Sequence, residues 1–231
     1  MLTVEEYQEG QVLLIDKPLN WTSFQAVNKL KYALINQVGL PKKFKIGHAG
    51  TLDPLATGLL LVCTGKFTKR IAEFQGQAKE YTGTFFIGAT TPSYDLETEI
   101  DFRFPSNHIN NELIHETVKQ FIGEIDQIPP IFSAIKKDGV RLYEHARAGE
   151  TIEISPRKTT IHEFEITRIS LPEIDFRIKC SKGTYIRSVA FDFGKAMNSG
   201  SHLTALRRTK IGDYDVNNGV GVEEFVSKMS R

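Results

Sequence analysis

The chain has 231 residues, 40% of them hydrophobic and 25% charged, with a formal net charge of +1. That length and apolar content can bury a full core, and the composition excludes a disordered or fibrous protein. Cys63 and Cys180 lie far apart in apolar stretches, so neither a disulfide framework nor a cysteine-based zinc site is indicated.

The N-terminus carries Glu5, Glu6 and Glu9 in place of the basic start and apolar run of a secretory signal. No stretch approaches the roughly 20 apolar residues of a membrane span, so a cytoplasmic protein without membrane contact is expected. Val12 to Ile15 read as a short buried strand, and Thr22 or Ser23 then caps a helix whose apolar positions Val27, Leu30 and Leu34 recur at helical spacing. Leu59 to Cys63 and Thr84 to Ile87 are further strand candidates. Asn110 to Ile122 form a helix with Leu113, Ile114, Val118, Phe121 and Ile122 on one stripe. The proline-containing stretches at 129–130 and 155–156 read as turns. Ile174, Phe176, Ile178 and Cys180 alternate with Asp175, Arg177 and Lys179, the period of a strand with one buried face. Ile186, Val189, Ala190 and Phe193 then place a helix starting near Thr184, with Arg187 close to its beginning. Together these elements predict one α+β domain over residues 1–231, built on a mixed, largely antiparallel sheet flanked by helices.

The small net charge hides a segregation. Lys42, Lys43, Lys45, Lys66, Lys69, Arg70 and Lys79 form one basic stretch, and a second, between Arg177 and Lys210, has Asp192 as its single acid. An acidic region from Asp95 to Asp126 separates them. Basic segments brought together by folding suit a phosphate backbone, although such runs are as often solvated faces.

The run from Gly47 to Gly58, Gly-His-Ala-Gly-Thr-Leu-Asp-Pro-Leu-Ala-Thr-Gly, puts one imidazole and one carboxylate on a glycine-punctuated loop just before an apolar strand. From spacing alone, Asp53-Pro54 reads first as a helix start. One His and one Asp do not make a metal site, and no metal is expected. Gly58 and Gly65-Lys66 fail as a triphosphate loop, because six residues separate the glycines and Phe67 stands where Ser or Thr should follow the lysine.

Seven motifs in order give the chain its resemblance to a known family. They are Asp16-Lys17-Pro18, the Gly47 to Gly58 run, Lys79-Glu80-Tyr81, Gln127-Ile128-Pro129-Pro130 leading into Phe132-Ser133-Ala134, Gly139-Val140-Arg141-Leu142-Tyr143, Lys182-Gly183-Thr184-Tyr185-Ile186-Arg187, and Leu206-Arg207-Arg208. In these the chain resembles the TruB-type tRNA pseudouridine 55 synthases, and the resemblance implies their fold and a cofactor-free isomerisation of a uridine in the T-loop of tRNA.

By that resemblance Asp53 is the catalytic carboxylate, and Arg187 is the arginine that pairs with it and holds it ionised. Tyr81 and Tyr185 match the tyrosines lining the uracil pocket, and His48 matches the residue that approaches the flipped-out region. Leu206 matches the apolar residue packing on the base, with Arg207 and Arg208 as phosphate contacts. After Asp215 about sixteen residues remain, too few for the C-terminal RNA-binding (PUA) domain often fused to this catalytic domain. The expected partner is therefore the T-stem-loop of tRNA, bound by a monomer through its catalytic domain with salt-sensitive affinity. Three other readings stand beside this one: a non-catalytic RNA-binding or tRNA-folding module, a synthase acting on another RNA, and, last, a small-molecule hydrolase using Asp53 and His48.

Overall fold

A computed structural model describes residues 2–133, 135–137, 139–150 and 152–229. Ala134, the last residue of one of the motifs above, lies outside them. The chain groups into two compact units, one formed by the residues up to Tyr81 together with those from Leu206 onward, the other by Thr82–Ala205.

The first unit opens with helix α1 (Val4–Glu9), started by a reciprocal capping box between Thr3 and Glu6. Strand β1 (Val12–Lys17), helix α2 (Ser23–Ala33), and strands β2 (Ile46–His48) and β3 (Ala56–Thr64) follow. Thr22 is the N-cap of α2, in a capping box with Gln25. One π-helical turn, Leu34–Val38, continues α2 until Gly39 ends it in the left-handed conformation. β3 is buried on both faces, which explains its continuous apolar run. Leu60 and Val62 join Tyr7, Ile15, Leu30 and Phe225 on one side, while Leu59, Leu61 and Cys63 join Phe74 and Ile211 on the other. Helix α3 (Ile71–Gly76) and the start of β4 (Lys79–Ile87) complete this part.

The second unit contains the remainder of β4, the hairpin β5 (Ala89–Thr90) and β6 (Phe102–Arg103), helix α4 (Asn111–Lys119) and strand β7 (Gly123–Gln127). The hairpin β8 (Lys136–Lys137) and β9 (Val140–Arg141), helix α5 (Leu142–Arg147), strands β10 (Arg157–Ser170) and β11 (Glu173–Cys180), and helix α6 (Ile186–Ala196) come next. β10 pairs antiparallel with both β11 and β7. The core here is aromatic: Phe85 stacks on Phe176 with ring centroids 4.2 Å apart, and Phe164, Phe193 and Phe121 pack around the pair. The alternation predicted for residues 174–180 holds, with Ile174, Phe176, Ile178 and Cys180 all buried. The helix predicted to reach Ile122 stops at Lys119 because the chain turns into β7 at Gly123, whose φ is 102°, and Ile122 is left half exposed.

Strand β12 (Ser201–Ile211) leads the chain back into the first unit, where its later residues pair in parallel with β3 and antiparallel with β13 (Tyr214–Asp215). β14 (Val220–Gly221) lies parallel beside β1, and helix α7 (Val222–Met229) packs Val222 and Phe225 against α2. The fold is thus α+β, with mixed and largely antiparallel strand pairing, as expected. No helix among the described residues is long and apolar enough to cross a membrane.

Candidate active site

The loop carrying Asp53 is held from both ends by the sheet of the first unit. On entry, β2 runs antiparallel to β3 and the Ala49 N–H donates to Leu61 O at 2.8 Å. On exit, the Ala56 N–H donates to Asp53 O at 3.1 Å, and β3 begins. Ala49 and Leu52 are buried, which anchors the loop and leaves Asp53 between them and solvent as a half-buried carboxylate.

Arg208 supplies the inner brace. It is 2% exposed, and its guanidinium donates to Leu59 O at 2.8 Å, Gly50 O at 3.0 Å and Thr51 O at 3.4 Å. Read from the sequence as a phosphate contact, Arg208 instead holds the turn that leads to Asp53. Arg207 beside it is 40% exposed and grips Asp16 through two hydrogen bonds of 3.0 and 2.6 Å. Leu206 is half-buried opposite Ala56 in the β12–β3 register, next to the exit of the loop. Tyr81 is buried in β4.

Lys17, which carried no assigned role in the sequence, ends β1 with no solvent exposure. Its ammonium donates to Trp21 O at 2.6 Å and Pro18 O at 2.9 Å. Burial pushes its pKa down to about 8, helped by the Arg208 charge and opposed by the carboxylates of Asp53 and Asp16. Two buried cations therefore share the surroundings of Asp53. The folded state holds the Lys17 proton less tightly than the unfolded chain does, so Lys17 costs stability below about pH 8. Stability is expected to rise from about pH 8 towards the ordinary lysine pKa, and Lys17→Met to flatten that rise in urea midpoints measured across the window.

His48 is half-buried on β2. Burial, and then the Arg208 charge, keep its pKa below the ordinary value against a smaller opposing pull from the Gly50 backbone, and its Nδ1 lacks a hydrogen bond of ordinary geometry. Both causes favour the neutral imidazole, which can donate or accept.

In the second unit the motif residues converge on the start of α6. Gln127 is buried, accepts the Tyr185 N–H at 2.8 Å and donates to Tyr185 O at 3.1 Å, fixing the half-buried tyrosine that caps the helix. Ser188 donates to Ile128 O at 2.7 Å. Arg187 is 4% exposed; it donates to Phe132 O at 2.9 Å and Ser93 O at 3.2 Å and forms an ion pair with the buried Asp95 at 3.6 Å. Asp95 and Gln127 were not singled out as site residues from the sequence. Asp95 was hidden in what read as an acidic surface run, and Gln127 was visible only as part of a motif. Among the described residues no three His, Cys, Asp or Glu side chains converge as a metal site requires.

Comparison with known proteins gives the chain its family. The model of the TruB family pseudouridylate synthase (N terminal domain) matches residues 38–186, which include His48, Asp53, Tyr81, Asp95, Gln127 and Tyr185 and end one residue before Arg187. A protein of Flavobacterium johnsoniae named tRNA pseudouridine synthase B is 84% identical over 99% of this chain and 100% of its own length. One of the same name from Phocaeicola vulgatus is 55% identical over 95% of this chain and 93% of its own. Among solved structures, a chain of a Cbf5-Nop10-Gar1 complex superposes with a TM-score of 0.72 at 26% identity over 98% of this chain, which spans 56% of that longer chain. With the family model covering most of the chain and the relatives matching almost all of it, the chain belongs to the TruB family of pseudouridylate synthases.

Proposed function

We propose that this protein converts uridine 55 in the T-loop of tRNA to pseudouridine, with Asp53 as the reacting carboxylate and the target base flipped out of the loop. The observation that carries the reading is the presentation of Asp53. It is a half-buried carboxylate on a loop braced by Arg208 and flanked by the buried Lys17 cation, in a chain 84% identical to a protein named tRNA pseudouridine synthase B.

The reaction breaks the bond between ribose C1′ and uracil N1, turns the base and joins C1′ to C5. N1 gains a proton and C5 loses one. The change is an isomerisation with no net oxidation or reduction, so a positioned nucleophile or base can perform it without a redox group. The family resemblance assigns Tyr81, Tyr185 and Leu206 to the base, His48 to the flipped region and Arg187 to the Asp53 carboxylate. Arg207, the more exposed of the neighbouring arginines, contacts RNA phosphate. We take the two units to serve one catalytic domain, acting as a cytoplasmic monomer without metal.

The test is to incubate purified protein with an unmodified tRNA transcript and map pseudouridine by carbodiimide adduct and primer extension. A single new stop at position 55, absent from a transcript with cytidine there, is expected. A stop at another position, or none despite measurable tRNA binding, would replace the substrate or the activity assigned above.

A further inference from the structure

Asp53 is bracketed by the segment that links β1 to α2. Asn20, left-handed at φ 63°, donates its main-chain N–H to Pro54 O at 2.8 Å. Ser23 binds the residue on the other side of Asp53 twice: its hydroxyl accepts the Leu52 N–H at 2.8 Å and donates to Leu52 O at 3.1 Å. Both polar main-chain groups before Asp53 and the carbonyl after it are thereby tied to one short segment, which the Lys17 ammonium stiffens through Pro18 and Trp21.

Ser23 is free for this task because Thr22 takes the other one. The Thr22 hydroxyl accepts the Gln25 N–H and closes the capping box, so the serine that follows it, at the first helical position, has no part in capping α2. Ser23 is 2% exposed and Leu52 is 3% exposed, so the hydroxyl meets the Leu52 main chain out of reach of bulk solvent. A rigid helix start thus fixes the residue next to the carboxylate, as a reacting group must be fixed to within a fraction of an ångström.

We propose that Ser23 is a positioning residue, whose hydroxyl sets the direction of the Asp53 side chain through the main chain of Leu52. The inference rests on Asp53 being the reacting group, as proposed above.

The test compares the whole protein with Ser23→Ala, Ser23→Thr and Asp53→Asn by single-turnover pseudouridine formation, tRNA affinity and amide hydrogen exchange. Ser23→Ala is expected to slow turnover about 100-fold, the scale of a misplacement of about 1 Å, with tRNA affinity held within about threefold. The Leu52 amide exchanges faster in this variant while Leu30, inside α2, keeps its protection. Ser23→Thr keeps the hydroxyl and recovers most of the rate. If Ser23→Ala does not fold, Ser23→Cys replaces it, a weaker partner of similar volume for which an intermediate rate is expected. Turnover at the wild-type rate, a slowed rate with Leu52 exchange unchanged, or exchange accelerated evenly across the chain would each overturn the inference. If wild type forms no pseudouridine, or Asp53→Asn matches it, the fault lies with the assigned reaction, and Leu52 exchange alone then judges the clamp.

Discussion

Asp53→Asn is expected to lower the single-turnover rate by about 10⁴-fold or more, the scale seen when a reacting side chain is removed, while tRNA affinity stays within about threefold. The amide has the size of the carboxylate and leaves the loop's supports in place, since Arg208 grips the Gly50 and Thr51 carbonyls and Ser23 grips Leu52 without involving the Asp53 side chain. What disappears is the negative charge and, with it, the capacity to attack carbon or take a proton. Lys17 records the same loss, because the Asp53 charge is the largest influence opposing its burial and its pKa should fall below the wild-type value of about 8. Rapid-quench turnover beside filter binding measures the split. A residual rate within about tenfold of wild type would remove Asp53 from the chemistry.

Gly58→Ala is expected to lose about 3 kcal/mol of stability or more, because clash and backbone strain add at a buried position. Gly58 has φ 103°, and a Cβ there would lie 2.3 Å from Arg208 O and 2.8 Å from Arg208 N. Those are backbone atoms of the strand paired directly opposite, so β12 and not a flexible side chain must move. Gly39→Ala is the control. Its φ is also positive, at 83°, but nothing lies within 4 Å of the added methyl, so only the left-handed strain of about 1–2 kcal/mol remains. The difference between the two urea midpoints isolates the contact with Arg208. Equal losses would mean that β12 yields freely. Displacing β12 also displaces the guanidinium that shapes the Asp53 loop, so Gly58→Ala should lose activity at temperatures where it remains folded.

Elements with one clean period were legible in the sequence, and those that interleave charged residues or bury them were not. β11 alternates strictly and was found, as was the apolar part of β3, whose two faces both meet core. β10 carries Glu163, Glu165 and Arg168 through most of its length and pairs them across the strand or along it with Arg177, Glu173 and Asp175, which reads as loop to a hydrophobicity pattern. In the site-bearing half of β12 a charged residue, Arg208, is buried almost as fully as Ile211, an inversion that hides the strand. The site followed the same logic. Asp53 and its neighbours emerged as a motif, whereas Lys17 stood in the Asp16-Lys17-Pro18 motif without a role, and Ser23 could not be told from a helix cap while Thr22 stood next to it. Hydrophobic periodicity reports which side chains avoid water, and these residues are inside for their hydrogen bonds.

The first unit is discontinuous in the chain, since Thr82–Ala205 intervene between its parts. During synthesis the ribosome therefore delivers the carboxylate long before the brace that shapes its loop: Arg208 follows Gly50 by 158 residues. A growing polypeptide that has already displayed Asp53, His48 and the Lys17 segment has β1 and β2 beside β3 but still lacks β12, so the Gly50 and Thr51 carbonyls of the Asp53 loop are without their guanidinium brace. If Asp53 reacts as proposed, a complete loop around it is expected only once β12 has been translated.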